Sequence, residues 1–126
     1  MVTWILWALI LAMLAWMGFN YLRIRRAAKI VDNAEFEALI RTGQLIDLRD
    51  PAEFHRKHIL GARNIPSSQL KTSLAALRKD KPVLLYENQR AQRVTNAALY
   101  LKKQGFSEIY ILSYGLDSWN GKVKTS

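Results

Sequence analysis

The chain begins with one continuous apolar segment. Residues 2–22 carry no charge, and Thr3 and Asn20 are the only clearly polar side chains among them. An α-helix of this length, rising about 1.5 Å per residue, crosses the roughly 30 Å hydrocarbon core of a bilayer. Basic residues follow at once, at positions 23, 25, 26 and 29, and none precedes the segment. The pattern therefore predicts a single-pass transmembrane helix over residues 1–22, with the N-terminus outside the cell membrane and the remainder cytoplasmic.

Other interpretations of this segment stay open. A cleavable signal peptide shares the apolar core, but it needs a basic region before that core and a small-x-small cleavage site after it. Ala8 and Ala12 form a small-xxx-small pair, which would allow self-association through the transmembrane helix, although alanine serves equally as lipid-facing filler. Residues 23–30 are predicted to form a basic juxtamembrane linker.

Beyond the linker, helical and strand spacings of the apolar positions alternate. Helical spacing predicts helices over residues 34–42 with Asn33 as N-cap, 52–57, 70–77 with an end at 79–81, 91–104, and a last short one after Gly115. Short apolar or alternating runs predict strands over residues 45–48, 62–65, 83–86 and 108–112. Such alternation is typical of a parallel sheet with helices on both faces. The prediction is a small α/β domain over residues 31–121, followed by a frayed tail at 122–126.

A strand–loop–helix unit at residues 82–104 carries the candidate site. The first turn of a helix leaves N–H groups free and its dipole favours negative charge, so a polar loop between a buried strand and a helix forms an anion cradle. The predicted binding loop consists of Glu87, Asn88, Gln89, Arg90, Ala91, Gln92 and Arg93. Glu87 is the only one of these residues that is suited to nucleophilic or acid–base chemistry.

The amino-acid composition excludes several kinds of functional site. The 126 residues carry a net charge of +9, from 19 Lys+Arg against 10 Asp+Glu, and include no cysteine. Without cysteine there are no disulfides, no thiolate metal sites and no mechanism through a Cys persulfide. The basic residues are not interleaved with aromatic ones, which favours a solvated face over a nucleic-acid surface. His55 and His58 are three residues apart, but only ordinary surface acids lie near them, so neither a metal site nor a cofactor is predicted.

Three motifs follow one another along the α/β segment. They are Ile46-Asp47-Leu48-Arg49 with Pro51 and Glu53-Phe54, then His58-Ile59-Leu60-Gly61-Ala62-Arg63-Asn64-Ile65-Pro66, and finally Gly115 to Trp119. In this order and spacing they resemble the rhodanese-like domain, over roughly residues 31–121. The resemblance implies that Asp47, Arg49 and His58 shape a pocket beside the loop in a catalytic relative. In this chain the favoured roles of Asp47 and Arg49 are a structural ion pair or hydrogen bonds to the backbone, and that of His58 is a hydrogen bond within its own turn.

The loop differs from the family pattern at the residue positions on which the family's sulfur transfer depends. In the family the central strand is followed by Cys-x-x-x-x-Arg, whose cysteine holds sulfur as a persulfide. Here Glu87 stands at the cysteine position and Gln92 at the arginine position, with Arg93 one residue later. A carboxylate has no sulfur with which to form the S–S bond, and no His or second acid near it in sequence activates it as a nucleophile. The chain is therefore predicted not to be a sulfurtransferase.

Two roles remain open for Glu87. Its carboxylate either turns into the loop and accepts hydrogen bonds from N–H groups near residues 89–92, or it faces water. In the first case it would supply the negative charge that the cradle favours, which contributes about 1 kcal/mol at a helix N-terminus.

Together these patterns favour a membrane-anchored, catalytically inactive rhodanese-like module on the cytoplasmic face, which binds a protein or an anion through the loop. The expected partners are the lipid bilayer and a protein whose identity the sequence leaves open, and no nucleic acid is expected. The alternative is a rhodanese-type (thiosulfate) sulfurtransferase, or an assistant to sulfur transfer, that uses a partner's thiol.

Overall fold

The computed structural model describes residues 2–89 and 92–125, and leaves out the side chains of residues 23–27. The helices are α1 Val2–Ala27, α2 Asn33–Ile40, α3 Pro51–Arg56 and α4 Gln92–Lys103. The strands are β1 Lys29–Val31, β2 Gln44–Asp47, β3 Lys57–Ile59, β4 Arg63–Asn64, β5 Val83–Tyr86, β6 Ile109–Leu112 and β7 Val123–Thr125. Short 3₁₀ turns cover Ser67–Thr72, Leu74–Ala76 and Leu116–Ser118.

Five of the strands form one parallel sheet in the order β1-β6-β5-β2-β4. β5 lies at its centre, and its alternate side chains belong to two hydrophobic cores. Val83 and Leu85 pack in the core that contains α4, whereas Leu84 and Tyr86 pack with Phe36 of α2 on the opposite face. A strand buried on both faces has a continuous apolar sequence rather than an alternating one. The predicted α/β class, a parallel sheet covered by helices on both faces, is confirmed.

Residues 29–31 and 123–125 form strands, where the sequence predicted part of a linker and a frayed tail. β1 pairs with β6 at the edge of the sheet, with Lys29 opposite Tyr110. β7 pairs antiparallel with β3 in a separate two-stranded sheet, with Val123 opposite Ile59. Each of these strands has three residues, which is too short for a spacing pattern to be recognised, and each is held by a strand far away in sequence. The predicted linker 23–30 and tail 122–126 are therefore wrong at these residues.

The segment predicted as one helix through residues 70–77 consists of two 3₁₀ turns. The N–H of Ser73 donates to the carbonyl of Leu70, three residues back, at 3.2 Å. The Thr72 hydroxyl donates to the carbonyl of Gln69 at 3.0 Å. Ser and Thr side chains that bond nearby backbone groups compete with the α-helix, which explains the tighter turns.

The start of α2 also differs by one residue from the prediction. Asp32 is the N-cap, since its Oδ1 accepts the N–H of Glu35 at 2.9 Å. Asn33 is the first helical residue, and its side-chain amide donates instead to the carbonyl of Ser118 at 2.7 Å.

Within the described residues, one stretch is long and apolar enough to cross a membrane, namely Val2–Leu22 in α1. Its mean hydropathy is 2.0 and none of it is buried in the rest of the chain. α1 continues to Ala27, and Ala28 alone separates it from β1. Ala28 is buried in the same core as α4, and α1 itself contacts α4. The apolar helix therefore runs directly into the α/β domain.

Candidate functional site

The loop after β5 lies at the carboxyl ends of the parallel strands, where open α/β sheets bind their ligands. The turn after Gly115 holds the beginning of this loop. The N–H of Leu116 donates to the carbonyl of Glu87 at 2.8 Å, and the N–H of Asp117 donates to the carbonyl of Asn88 at 3.0 Å. These two hydrogen bonds fix the backbone of Glu87 and Asn88, whose side chains belong to the candidate site.

Gly115 makes this close approach of two backbones possible. Its φ is +69°, and a Cβ at this position would lie 2.4 Å from the carbonyl oxygen of Asn88 and 2.5 Å from that of Glu87. Glycine tolerates both the positive φ and the contact because it has no Cβ. Four residues later, the Trp119 ring packs edge-on against Phe36, with the ring centroids 5.8 Å apart. The Gly-x-x-x-Trp motif thus ties the loop to the core.

The carboxylate of Glu87 turns into the loop. Only 8% of the residue is exposed, and Oε2 accepts the backbone N–H of Val94 at 2.9 Å. Val94 is the third residue of α4, so its N–H is one of those that the first turn of a helix leaves unsatisfied. Of the two orientations that the sequence left open, the structure therefore has the inward one. Among the described residues the donor is Val94, beyond the expected residues 89–92.

The environment of Glu87 opposes its charge more than it favours it. Burial raises the pKa of the carboxyl, and the charges of Glu53 and Asp47 add to this effect. The hydrogen bond from Val94 and the charge of Arg93 act in the opposite direction but do not compensate. The contact with the Val94 N–H favours the charge as expected, but the desolvation of the carboxylate exceeds this gain, so the net effect on the charged form is unfavourable.

We expect the substitution Glu87→Gln to raise the free energy of unfolding at neutral pH. The raised pKa means that protonated Glu87 favours folding below the ordinary value of 4.5. This contribution is lost as the pH rises through the higher pKa of the folded state. Glutamine stays uncharged and keeps an oxygen for the Val94 N–H. The Glu87→Gln variant is therefore more stable than the parent above the raised pKa of Glu87, and this difference disappears below the ordinary pKa of a glutamate.

Urea denaturation of the full chain in detergent micelles, followed from acidic to neutral pH, measures this difference. Glu37→Gln on the exposed face of α2 is the matched control for the loss of one negative charge from a basic chain. A lower stability of Glu87→Gln than of the parent at neutral pH would contradict the argument, because the contact of the charged carboxylate with Val94 would then outweigh burial.

Asp47 and Arg49 form a buried ion pair at the end of β2. Arg49 Nη2 lies 2.8 Å from Asp47 Oδ2, and the two side chains are 5% and 0% exposed. The backbone N–H of Arg49 also donates to Asp47 Oδ1 at 2.9 Å, and Nη2 donates to the carbonyl of Lys57. Burial opposes the charge of Arg49, but the hydrogen bond and the charge of Asp47 outweigh it and raise the pKa of Arg49. The geometry is that of a structural ion pair.

Asn88 connects this ion pair to the loop. Its Oδ1 accepts from Arg49 Nη1 at 3.0 Å, and its Nδ2 donates to Glu53 Oε2 at 2.8 Å. The loop is thereby bound to β2 and α3 through one side chain. Sequence reasoning missed the roles of Glu53 and Val94. Glu53 belongs to the first of the three motifs, which was the available signal, whereas nothing in the sequence singles out the N–H of Val94.

Tyr86 lies directly beneath the ion pair as an uncharged hydroxyl. Its oxygen accepts the N–H of Ile59 at 3.0 Å. Burial, and then the charge of Asp47 and the hydrogen bond with it, raise the pKa of Tyr86 above its ordinary value. The residue therefore links β5 to β3 through its hydroxyl group.

His58 lies apart from the loop. Its Nδ1–H donates to the carbonyl of Phe54 at 2.7 Å, and its ring stacks on that of Phe54 at 3.8 Å. It lines a different cavity from the one of about 200 Å³ beside the loop, to which Arg49 and Asn88 contribute. Among the described residues the structure thus brings Asp47 and Arg49 to the loop, but not His58.

The other predicted loop residues are more open. Gln89 is exposed, and its amide donates to Asp117 Oδ2 at 3.4 Å. Gln92 is also exposed and donates to Asn96 Oδ1 at 2.8 Å, while Arg93 points to solvent beside it. Arg90 and Ala91 lie outside the described residues. In the part of the chain that is described, no three His, Asp or Glu side chains gather as metal ligands.

The chain is an α/β domain whose parallel five-stranded sheet has its site loop between the central strand and the following helix. Residues 32–122 match the family model of the rhodanese-like domain. The chain belongs to the rhodanese-like domain family.

Similar proteins share most of this chain. It is 47% identical over 113 residues to YqhL of Bacillus subtilis (strain 168), a protein described as uncharacterized, covering 90% of this chain and 89% of YqhL. It is 38% identical over 77 residues to the thiosulfate sulfurtransferase GlpE of Stutzerimonas stutzeri (strain A1501), covering 60% of this chain and 68% of GlpE. The crystal structure of a rhodanese-related protein from Thermoplasma volcanium superposes with a TM-score of 0.70 at 24% identity, over 78% of this chain and 99% of that one.

Proposed function

We propose that this protein is a membrane-anchored, catalytically inactive rhodanese-like domain that binds a protein partner through the loop at residues 87–93, on the cytoplasmic side. The observation that carries the proposal is the position of the Glu87 carboxylate. The carboxylate accepts a hydrogen bond from the N–H of Val94 at the start of α4. The only sulfur atoms of the chain are those of its three methionines. Sulfur transfer needs a thiolate at the position of Glu87, and this chain has a carboxylate there.

A protein partner suits the loop better than a small anion does. Glu87 already takes the N–H group that an anion would need. The charges of Glu53 and Asp47 oppose further negative charge here, as the raised pKa of Glu87 reflects. The exposed side chains of Gln89 and Asp117 present an amide and a carboxylate at the rim. Polar groups held on a rigid backbone are suited to specific recognition of a protein surface.

The membrane anchor rests on the uncharged residues 2–22 and the basic residues that follow. Val2–Leu22 is long and apolar enough to span a bilayer, and Arg23, Arg25 and Arg26 come directly after it. An excess of Lys and Arg next to a transmembrane segment marks its cytoplasmic end. Extraction of membranes with alkaline carbonate is the check, because an integral protein stays in the pellet and a peripheral one is released.

We expect the full chain to produce no thiocyanate from thiosulfate and cyanide. In rhodanese chemistry a thiolate attacks the outer sulfur of thiosulfate, an S–S bond forms and sulfite leaves, and Glu87 has no atom that can do this. Glu87→Cys restores the missing sulfur atom near the start of α4, where the N–H of Val94 and the charge of Arg93 favour a thiolate against the opposing effects of burial and of Glu53 and Asp47. This variant should gain one sulfur atom from thiosulfate, as measured by mass spectrometry.

The sulfurtransferase alternative is favoured by the likeness to GlpE, and the same assay separates it from the binding role. Thiocyanate formed by the parent chain alone would overturn the inactive assignment. Turnover that appears only when a thiol-bearing protein is added would support an assistant to sulfur transfer instead. The Glu87→Gln variant is the control, since it carries no thiol and keeps the oxygen that Val94 needs.

Site-specific photo-crosslinking in intact membranes tests the partner. A photoreactive amino acid at Gln89 reports on the loop, and one at the exposed Arg41, on the C-terminal side of α2, reports on a distant surface. We expect an adduct with one protein at position 89 and none at position 41. The adduct should weaken in Asn88→Ala, which releases the loop from Arg49 and Glu53. Equal labelling at both positions, or none at position 89, would contradict a binding role for the loop.

A further inference from the structure

A second cavity, of about 470 Å³, lies between α4 and the turn Ser67–Thr72, and Glu87 is not among its lining residues. Its floor is apolar, formed by the buried Leu70 and Ala97, with the ring of Tyr100 at one side. Its rim is polar and basic. The rim consists of Ser67, Ser68, Lys71, Arg93 and Asn96. An apolar floor below a basic, hydroxyl-bearing rim matches the chemistry of an anionic amphiphile.

Within the described part of the chain, the positive charges of the rim are not held in ion pairs, although the charge of Arg93 acts on Glu87. Among the described residues, neither Lys71 nor Arg93 forms an ion pair with a carboxylate. Lys71 Nζ lies over the Tyr100 ring at 5.6 Å from its centroid, which places the ammonium group at the cavity. None of the described residues that line the cavity is acidic. An anion is therefore the complementary ligand.

The cavity also lies on the helix that the anchor contacts. The uncharged stretch ends at Leu22, and α1 continues for five more residues, to Ala27. These five residues rise by about 7.5 Å. The headgroup layer beyond the hydrocarbon core is roughly 5–7 Å thick on each side. Because α1 contacts α4 and Ala28 is already buried in the core with α4, a transmembrane α1 places the start of the domain at the outer edge of the headgroup layer.

We infer that the cavity between α4 and the turn Ser67–Thr72 binds the phosphate headgroup of an anionic phospholipid of the bilayer, with the apolar floor against its glycerol and upper acyl chain. Lys71 and Arg93 bind the phosphate and the serine hydroxyls donate to it. The site would hold α4, and with it the loop that begins at Glu87, in a fixed orientation to the membrane. This inference rests on the membrane anchoring that is part of the proposed function.

Hydrogen exchange of the full chain in lipid nanodiscs tests the inference. One set of discs contains phosphatidylcholine alone, and the other contains phosphatidylcholine with phosphatidylglycerol. We expect the backbone amides of Ser67–Thr72 and of the first half of α4 to exchange about fivefold more slowly in the anionic discs, which is the effect of one basic side chain near an anionic surface. Lys71→Gln combined with Arg93→Gln should abolish the difference. Arg41→Gln combined with Lys124→Gln removes the same charge elsewhere and should retain it.

Each other result overturns the inference in a recognisable way. If inorganic phosphate added to the neutral discs slows exchange equally, the ligand is a free phosphate and not a lipid. If both double variants lose the difference alike, the effect is that of net charge and not of the cavity. Carbonate extraction distinguishes absence of the lipid site from absence of the membrane anchor. A chain that stays in the membrane pellet but shows no protection from hydrogen exchange has the anchor and lacks the lipid site.

Discussion

The substitution Arg49→Met is expected to lower the free energy of unfolding by about 3–5 kcal/mol, because it leaves a buried carboxylate without its partner. Asp47 is 0% exposed, and the guanidinium of Arg49 supplies two of its hydrogen bonds through Nη2 and Nε. The same change removes the bond to Asn88 Oδ1, so the loop loses its connection to β2. Urea denaturation of the full chain in detergent micelles, followed by near-ultraviolet circular dichroism, gives the value.

Arg78→Met is the matched control for this prediction. Arg78 and Asp80 are also two residues apart and also form two hydrogen bonds, with Nη2 2.6 Å from Oδ2. Both side chains are more than 60% exposed, however, and water screens such a pair, so its loss should change stability little. Similar effects of the two substitutions would show that burial does not determine the contribution of the Asp47–Arg49 pair.

The central part of the fold follows from local sequence patterns. Val83 to Tyr86 is an apolar run, and Val94, Ala97, Ala98 and Leu101 recur at helical spacing, so a buried strand and an amphipathic helix are predicted and observed. β1 and β7 are different, because their three residues form strands only through hydrogen bonds to β6 and β3. No local pattern contains that information.

The candidate site, like the fold, was predictable where local sequence patterns determine it and not where distant contacts do. The position of the loop follows from the strand–helix boundary, and the absence of a thiol follows from the composition. The donor to Glu87 could not be assigned, because Val94 is seven residues further on and the path of the loop decides which N–H meets the carboxylate. The sign of the electrostatic effect could not be assigned either. It depends on burial and on Glu53 and Asp47, which approach Glu87 only in the folded chain.

Gly115→Ala is expected to destabilise the domain by about 2–6 kcal/mol. Roughly 1–3 kcal/mol comes from holding alanine at φ +69° and ψ −167°, a conformation that essentially only glycine adopts. A further 1–3 kcal/mol, roughly, comes from overpacking, since the new methyl group would lie within 2.5 Å of the carbonyl oxygens of Glu87 and Asn88. Those carbonyls accept the N–H groups of Leu116 and Asp117, so the loop and the turn after β6 have to separate. Urea denaturation measures the loss.

Gly61→Ala separates the two contributions. Gly61 has a φ of +90°, and a Cβ built there meets nothing within 4 Å. Its substitution should therefore cost only the backbone strain, about 1–2 kcal/mol. The excess of Gly115→Ala over Gly61→Ala measures how tightly the turn after β6 holds the loop of Glu87. Equal losses would mean that the loop moves away freely, and the backbone that positions the Glu87 carboxylate would then not be rigid.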